Sequence, residues 1–160
     1  WDLSYSAGYT DEHGSFAGGS EIMHLISHKG KVYAANGYWM DSRWVIPPDG
    51  QRHSAQVLRL DSTDSSWQVD LDTGKSNGLG LEYMKGNVLR SVTFTRGVGG
   101  KILSEPVNLL VMAAGSNFEK GGAASVWVRE KEASSGRQRQ AASESSFVCL
   151  GDLEGSFREL

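Results

Sequence analysis

A chain of 160 residues and 17.4 kDa is long enough to bury the core of one domain without covalent staples, and its single cysteine excludes an intramolecular disulfide. A formal charge of −3, with dispersed basic residues, gives no general attraction to nucleic acid or to an anionic membrane surface. No apolar run approaches the roughly 20 residues that a membrane-spanning helix needs, so the sequence predicts a soluble protein with neither of these partners.

Short apolar segments bounded by Gly, Asn, Asp and Ser run through the whole chain and predict an all-β fold. A helical turn is predicted only within NGLGLEYMKG, around Leu81 to Met84, where glycines at 78, 80 and 86 confine it. Consecutive antiparallel strands are predicted over residues 21–27, 31–35, 55–61, 66–70, 87–95, 107–114, 124–130 and 145–151.

Two parts of the chain resemble each other, in the same order. SAQVLRLDSTDSS (54–66) lies over AASVWVREKEASS (123–135) without a gap, and GKVYAANG (30–37) resembles VNLLVMAAG (107–115). Each copy is interpreted as four strands, the last strand of the second copy being a weak one around GRQRQAA. The predicted units cover approximately residues 20–75 and 80–142, with an incomplete third unit at 145–160.

Repeated four-stranded units are typical of β-propeller blades. The first unit resembles a kelch repeat, with Asn36 and Gly37 at the position of the paired glycines and LRLDSTDSSW supplying a strand, a turn from Asp61 and Trp67. The resemblance implies a propeller-like fold in which Trp67 packs between neighbouring units. The second unit has Gly136 where Trp67 would repeat. DSTDSSW (61–67) also resembles the Asp box of sialidase-type propellers, which is a structural turn.

Closed propellers contain about 4–8 blades, which exceeds the two units and partial third of this chain. The sequence is therefore also compatible with a fragment of a longer protein, with assembly of several copies, or with a self-contained β-sandwich or barrel. Assembly predicts at least a dimer, formed through the apolar strands EIMHLIS or SSFVCLG. The charged residues of LEGSFREL (153–160) could instead protect the last edge.

The long connection over residues 38–53 is the predicted ligand site. Tyr38, Trp39 and Trp44 could stack on sugar rings, and Asp41 and Arg43 could bind hydroxyl or carboxylate groups. The alternative is that these aromatic residues cover a neighbouring unit while Asp41 pairs with Arg43.

Other site chemistry has little support. His24 and His28 lack a third ligand at motif spacing, although His13, His53 and Glu21 are available, so no metal site is predicted. The glycine groups do not have the setting of a phosphate loop, and no cofactor is predicted. Catalytic residues stay unassigned; the possible members of a glycosidase-like carboxyl pair are Asp41, Asp70, Asp72 and Glu82.

The leading hypothesis is a propeller-like scaffold that binds a saccharide or a protein through residues 38–53. The alternatives are a glycan-active hydrolase or lyase of propeller type, and a fragment without independent activity. The compartment stays open, because a chain beginning at Trp1 fits removal of a secretory signal and truncation equally well. Residues 130–146, which are charged and Ser-rich, predict an exposed loop or edge strand, with a recognition tail as the alternative.

Overall fold

The computed structural model describes residues 3–38, 54–76, 83–116, 123–129 and 147–154, and these residues form an almost entirely β structure, as the sequence predicts. Apart from the strands, the described residues contain a helical turn (α1, Thr73–Ser76) and a 3-10 turn, Val98–Gly100. None of the helices in this part of the chain is long and apolar enough to cross a membrane. The strands are β1 (Tyr9–Thr10), β2 (Phe16–Ala17), β3 (Glu21–His28), β4 (Lys31–Gly37), β5 (Gln56–Leu60), β6 (Gln68–Asp72), β7 (Tyr83–Arg96), β8 (Ile102–Ser116), β9 (Ala123–Arg129) and β10 (Phe147–Glu154).

Strands β3 to β10 form one antiparallel sheet that curls strongly into a half-barrel. The order is β10-β9-β8-β7-β4-β5-β6, with β3 paired to β4, while β1 and β2 form a separate two-stranded sheet. The register between β4 and β7 consists of one residue pair, Gly37 with Lys85. Two series of consecutive antiparallel strands, β3 to β6 and β7 to β10, are therefore joined at this narrow contact.

The curl brings the two series face to face around one apolar core. Apolar side chains at alternate strand positions supply this core, as expected for sheets with one buried face. Gly86 of β7 lies where β4, β7 and β8 meet in the sheet: a methyl group placed on it would lie 2.8 Å from Ala35 Cβ and 3.1 Å from Met112 Cε. The buried members are Tyr33, Ala35, Ala55, Val57, Leu71, Tyr83, Leu89, Leu110, Met112, Ala114, Trp127 and Phe147.

Residues 3–18, here called the N-terminal arm, cover the other face of β4 to β6. Ala17 of the arm is buried against Ala34, Leu58 and Trp67, and Tyr5 and Tyr9 pack against the same cluster. Trp67 is 8% exposed, which confirms its predicted burial, but the predicted packing between neighbouring units is wrong, because its cluster consists of residues of the arm and of its own strand series. In the structure Trp67 lies against the arm, since its ring meets the Tyr5 ring edge-on and its Nε1 donates to Ser4 Oγ (3.0 Å).

Two fully buried amide side chains fasten the arm to the sheet. Asn36 Nδ2 donates to the carbonyl oxygen of Gly18 (2.8 Å), and Gln56 Nε2 donates to that of Phe16 (2.8 Å). Asn36 Oδ1 accepts from the backbone N–H of Gln56 (2.6 Å), which links the two amides across β4 and β5. Asn36 therefore has a hydrogen-bonding role that a glycine at this position could not supply.

The strands test three local predictions: the repeated segments, the start of a third unit and the helical turn. The repeated segments fall on β5 and β9, and the two registers match, with Val57 opposite Ala35 and Val126 opposite Ala113. β10 pairs with β9, so the segment predicted to open a third unit lies beside the second. The predicted helical turn around Leu81 to Met84 is wrong for Tyr83 and Met84, which lie in β7 where this strand pairs with β8. Residues 77–82 and GRQRQAA lie outside the described residues.

Candidate functional sites

The predicted ligand site begins where β4 ends. Tyr38 follows Gly37 directly and is 2% exposed. Its hydroxyl lies so close to Gly18 that a methyl group on Gly18 would be 2.5 Å away. Little of the Tyr38 ring is therefore available to a ligand. The other predicted residues, Trp39, Asp41, Arg43 and Trp44, lie outside the described residues, and their role stays a prediction.

The strand directions define the end of the sheet from which this connection leaves. Lys85 of β7 is paired with Gly37 of β4 on one side and with Gly115 of β8 on the other. Because β4 and β8 are both antiparallel to β7, they run in the same direction and end together. We call this the Lys85 end of the sheet. The chain leaves both β4 and β8 there, so the connections to β5 and β9 start from one end.

A buried ion cluster occupies the opposite end of the core. Asp70 of β6 accepts hydrogen bonds from Arg129 Nε of β9 (2.7 Å) and from Arg59 Nη1 of β5 (2.5 Å). The side chains of Arg129 and Asp70 are 5% and 4% exposed, and that of Arg59 is 19% exposed. The Arg129 guanidinium also lies 5.4 Å from the centre of the Tyr33 ring. The cluster thus connects strands from both series across the core.

A β-bulge directs Asp70 into this core. Val57 pairs with Leu71 and Leu58 pairs with Val69, so Asp70 is an extra residue between two pairs. Such a residue bends its strand and changes the direction of the side chain. Leu71 belongs to the inner core while Val69 packs on the arm side, and the bulge places Asp70 with the inner group.

Chemically, the cluster has the properties of a structural ion pair. Both Asp70 oxygens are engaged by guanidinium groups, whereas a general base needs an oxygen within reach of a substrate proton. Asp72, another carboxylate considered above, accepts from the N–H of Gly74 (3.1 Å) at the start of α1. Asp41 and Glu82 lie outside the described residues.

Asp61 extends the cluster to the surface. It pairs with Lys31 Nζ (3.0 Å) and accepts from Arg59 Nε (2.8 Å). Burial opposes ionisation of this carboxyl, but the hydrogen bonds from Lys31 and Arg59 outweigh burial and hold the pKa of Asp61 below its ordinary value. Because the folded pKa is lowered, the resulting stability is present above the ordinary value of 3.8 and is lost as the pH falls through the folded pKa.

A shallow groove of about 440 Å³ lies between the arm and the turn before β6. Its lining contains no charged side chain, and serine hydroxyls and the aromatic residues Tyr9 and Trp67 dominate it. Tyr9 donates a hydrogen bond to the Trp67 carbonyl oxygen and so holds the two sides together. The lining residues are Ser4, Ser6, Ala7, Gly8, Tyr9, Ser65, Ser66 and Trp67.

Tyr5 gives a testable consequence of arm docking. Burial raises its pKa to about 12, and its hydroxyl donates to the Gly18 carbonyl oxygen (2.5 Å). Because the folded pKa is raised, this contribution to stability is complete below the ordinary value of 10.0 and is lost as the pH rises through about 12. We expect the difference between ultraviolet titrations of the wild type and Tyr5→Phe to have a midpoint near 12. A midpoint near 10.0 would mean that the arm leaves Tyr5 in water.

The histidines considered as a metal pair fasten β3 to β7. His24 Nε2 lies 2.6 Å from the Asn87 carbonyl oxygen, and His28 Nδ1 lies 2.8 Å from Ser91 Oγ. Within the described ranges, no group of three or more His, Cys, Asp or Glu residues could hold a metal ion. His53 is not in these ranges.

The sequence contains a signal for the ion cluster in the strand phase of its two arginines. Arg59 occurs in phase with Val57 on β5, and Arg129 occurs in phase with Trp127 on β9. Since alternate strand residues share a face, each arginine lies on the same side as a core residue. A charged residue on the apolar side of two strands predicts a buried counter-charge.

No protein-family model, curated protein or solved structure matches this chain. Function is therefore inferred from the residues and their geometry.

Proposed function

We propose that the chain is a propeller-like, non-catalytic scaffold that binds a saccharide through the connection between β4 and β5, residues 38–53. The observation that carries the proposal is the row formed by Gly37, Lys85 and Gly115, which brings the ends of β4 and β8 together. Connections that start from one end of a rigid sheet form a common binding surface in many β scaffolds.

The residues from which this connection starts are packed and hydrogen-bonded, which supports its use as a binding surface. Tyr38 is buried against Gly18, and Asn36 and Gln56 fix the preceding residues to the arm. The residue types that follow, Trp39 and Trp44, suit stacking on sugar rings.

The enzyme alternative receives less support from the described residues. Asp70 is engaged by two arginines, and the groove beside Trp67 has no carboxylate in its lining. Glycoside hydrolysis needs two carboxyl groups that flank the scissile bond.

Calorimetric titration with a panel of neutral and acidic oligosaccharides tests the proposal. We expect Trp39→Ala and Trp44→Ala each to weaken binding by roughly tenfold, because an aromatic contact contributes about 0.5–1.5 kcal/mol beyond its buried area. Ser66→Ala, in the groove beside Trp67, is the control and should leave the affinity unchanged.

Three results would contradict this assignment. Loss of binding in Ser66→Ala, with retention in the tryptophan variants, would move the site to the groove. If no oligosaccharide in the panel bound, the proposed saccharide ligand would be excluded for the classes tested. Release of cleaved products, abolished by Asp41→Asn, would favour the hydrolase or lyase.

A further inference from the structure

A side-chain amide of β5 binds the backbone of the arm as a neighbouring strand would. Gln56 Nε2 donates to the Phe16 carbonyl oxygen (2.8 Å), and Gln56 Oε1 accepts from the N–H of Gly18 (3.0 Å). These two groups flank Ala17, and a residue in a parallel ladder bonds in the same way to the groups that flank its partner. Gln56 is fully buried, so water does not compete for these bonds. The amide thus recognises main-chain groups that any extended peptide carries.

Asn36 of β4 holds this amide in position. Its Oδ1 accepts from the backbone N–H of Gln56 (2.6 Å), and its Nδ2 donates to Gln56 Oε1 (3.3 Å). Both contacts lie within the large sheet, so they fix the two amides independently of the segment that covers them. Asn36 Nδ2 also donates to the Gly18 carbonyl oxygen (2.8 Å), which gives that segment a third main-chain bond. We call Asn36 and Gln56 the amide pair.

The surface around the amide pair selects small residues at three successive positions of the arm. Ala17 is fully buried in the apolar cluster beneath the arm. A methyl group on Gly18 would lie 2.5 Å from the Tyr38 hydroxyl oxygen, and one on Gly19 would lie 2.9 Å from Asn36 Cγ. Gly19 also has a φ of +96°, which residues with a side chain rarely adopt. The sequence that fits this surface is therefore alanine followed by two glycines.

The arm is attached to the large sheet in a way that permits exchange. Its strands β1 and β2 pair with each other and lie outside the order of the large sheet. Side chains bridge the two: besides the amide pair, Asp11 Oδ2 accepts from the N–H of Val69 (2.9 Å), and Tyr9 donates to the Trp67 carbonyl oxygen. The arm can therefore leave by local opening that keeps the backbone ladders of the large sheet intact.

We propose that the amide pair and the surface around it form a peptide-binding site, which the arm occupies in cis and from which an extended segment of a partner protein displaces it. That segment carries an aromatic residue, an alanine and two glycines in succession, as Phe16 to Gly19 do. The main-chain bonds supply affinity, and the close contacts at the alanine and glycine positions supply specificity, as in strand-addition sites. The proposal does not rest on saccharide binding by residues 38–53.

A partner protein suits this site better than the arm of a second copy. A second arm has the same sequence, so it makes no contact that the tethered arm lacks. The short tether also gives the chain's own arm an effective concentration on the order of millimolar. A segment that displaces the arm needs additional contacts, and it gains them at Ser65 and Ser66, which border a groove that the arm leaves open.

Fluorescence anisotropy of a labelled synthetic peptide, residues 3–19, tests the site on the full chain. The chain variant Gly18→Ala weakens docking of its own arm through the contact with Tyr38. We therefore expect this variant to bind the unmodified peptide at least about tenfold more tightly than the wild-type chain does. The peptide with Gly18→Ala should bind the same variant about tenfold more weakly. The matched control is the peptide with Thr10→Ala, an exposed position, which should bind as the unmodified peptide does.

Circular dichroism checks that the Gly18→Ala chain folds, and a second measurement on the wild-type chain does not depend on that variant. The unmodified peptide, at a concentration on the order of millimolar, should speed proteolytic cleavage of the arm near Tyr5, and the Gly18→Ala peptide should not. Equal affinity of the two peptides, or no faster cleavage with the unmodified one, would overturn the proposal. A wild-type chain that sediments as a dimer and becomes monomeric as Gly18→Ala would also overturn it, because the occupant would then be the arm of a second copy.

Discussion

Asp70→Asn should lower the free energy of unfolding by about 3–5 kcal/mol, because it leaves Arg129 in the core without its counter-charge. The side chain of Arg129 is 5% exposed, so water cannot replace the lost carboxylate. Urea denaturation followed by tryptophan fluorescence measures the change. Asp61→Asn is the matched control: its carboxylate also binds Arg59 but is 36% exposed, and a cost below about 1 kcal/mol is expected.

A double variant separates the contribution of the Asp70–Arg129 ion pair to stability from that of the packing around it. Replacing both partners, as Asp70→Leu with Arg129→Met, should restore most of the stability lost in Asp70→Asn, since apolar residues carry no desolvation penalty. A loss below about 1 kcal/mol in Asp70→Asn itself would contradict a buried, mutually neutralising pair.

Trp67→Ala should cost about 3–5 kcal/mol, as truncation of large buried aromatic residues does. The variant removes the apolar contact between the arm and β4 to β6, and it removes the hydrogen bond from Nε1 to Ser4. Limited proteolysis should therefore cut the arm near Tyr5 faster than in the wild type. Trp67→Phe keeps most of the apolar area and is the control, with a smaller loss of stability.

The rate at which the arm is cleaved distinguishes loss of arm docking from a general loss of sheet stability. Destabilisation without faster cleavage of the arm would show that Trp67 stabilises the sheet by itself. A loss below about 1 kcal/mol would contradict the burial of its ring against the arm.

The strand positions could be predicted because alternation is a local property of the sequence. EIMHLIS and KVYAANG alternate or cluster apolar residues between turn-forming residues, and they became β3 and β4. The observed β7 and β8 are longer than the predicted strands, because polar residues such as Lys85 and Glu105 interrupt the apolar pattern while the backbone pairing continues. Hydrogen bonding along a hairpin needs no apolar side chain at every position.

The features that depend on distant residues could not be predicted. The bulge at Asp70 is a register difference between β5 and β6, and no short stretch of sequence specifies it. The arm has strands of two residues each, so it has no periodicity that would indicate its position over Leu58 and Trp67. The burial of Tyr38 depends likewise on Gly18, twenty residues earlier in the chain.

The face-to-face packing of the two strand series can be measured directly by nuclear Overhauser effects between Tyr33 and Arg129. We expect cross-peaks from the Tyr33 ring protons to the Arg129 side chain, because the guanidinium lies 5.4 Å from the centre of that ring although β4 and β9 are separated by β7 and β8 in the sheet. Sequential and neighbouring-strand cross-peaks for both residues, without any between Tyr33 and Arg129, would mean that the sheet does not curl back on itself.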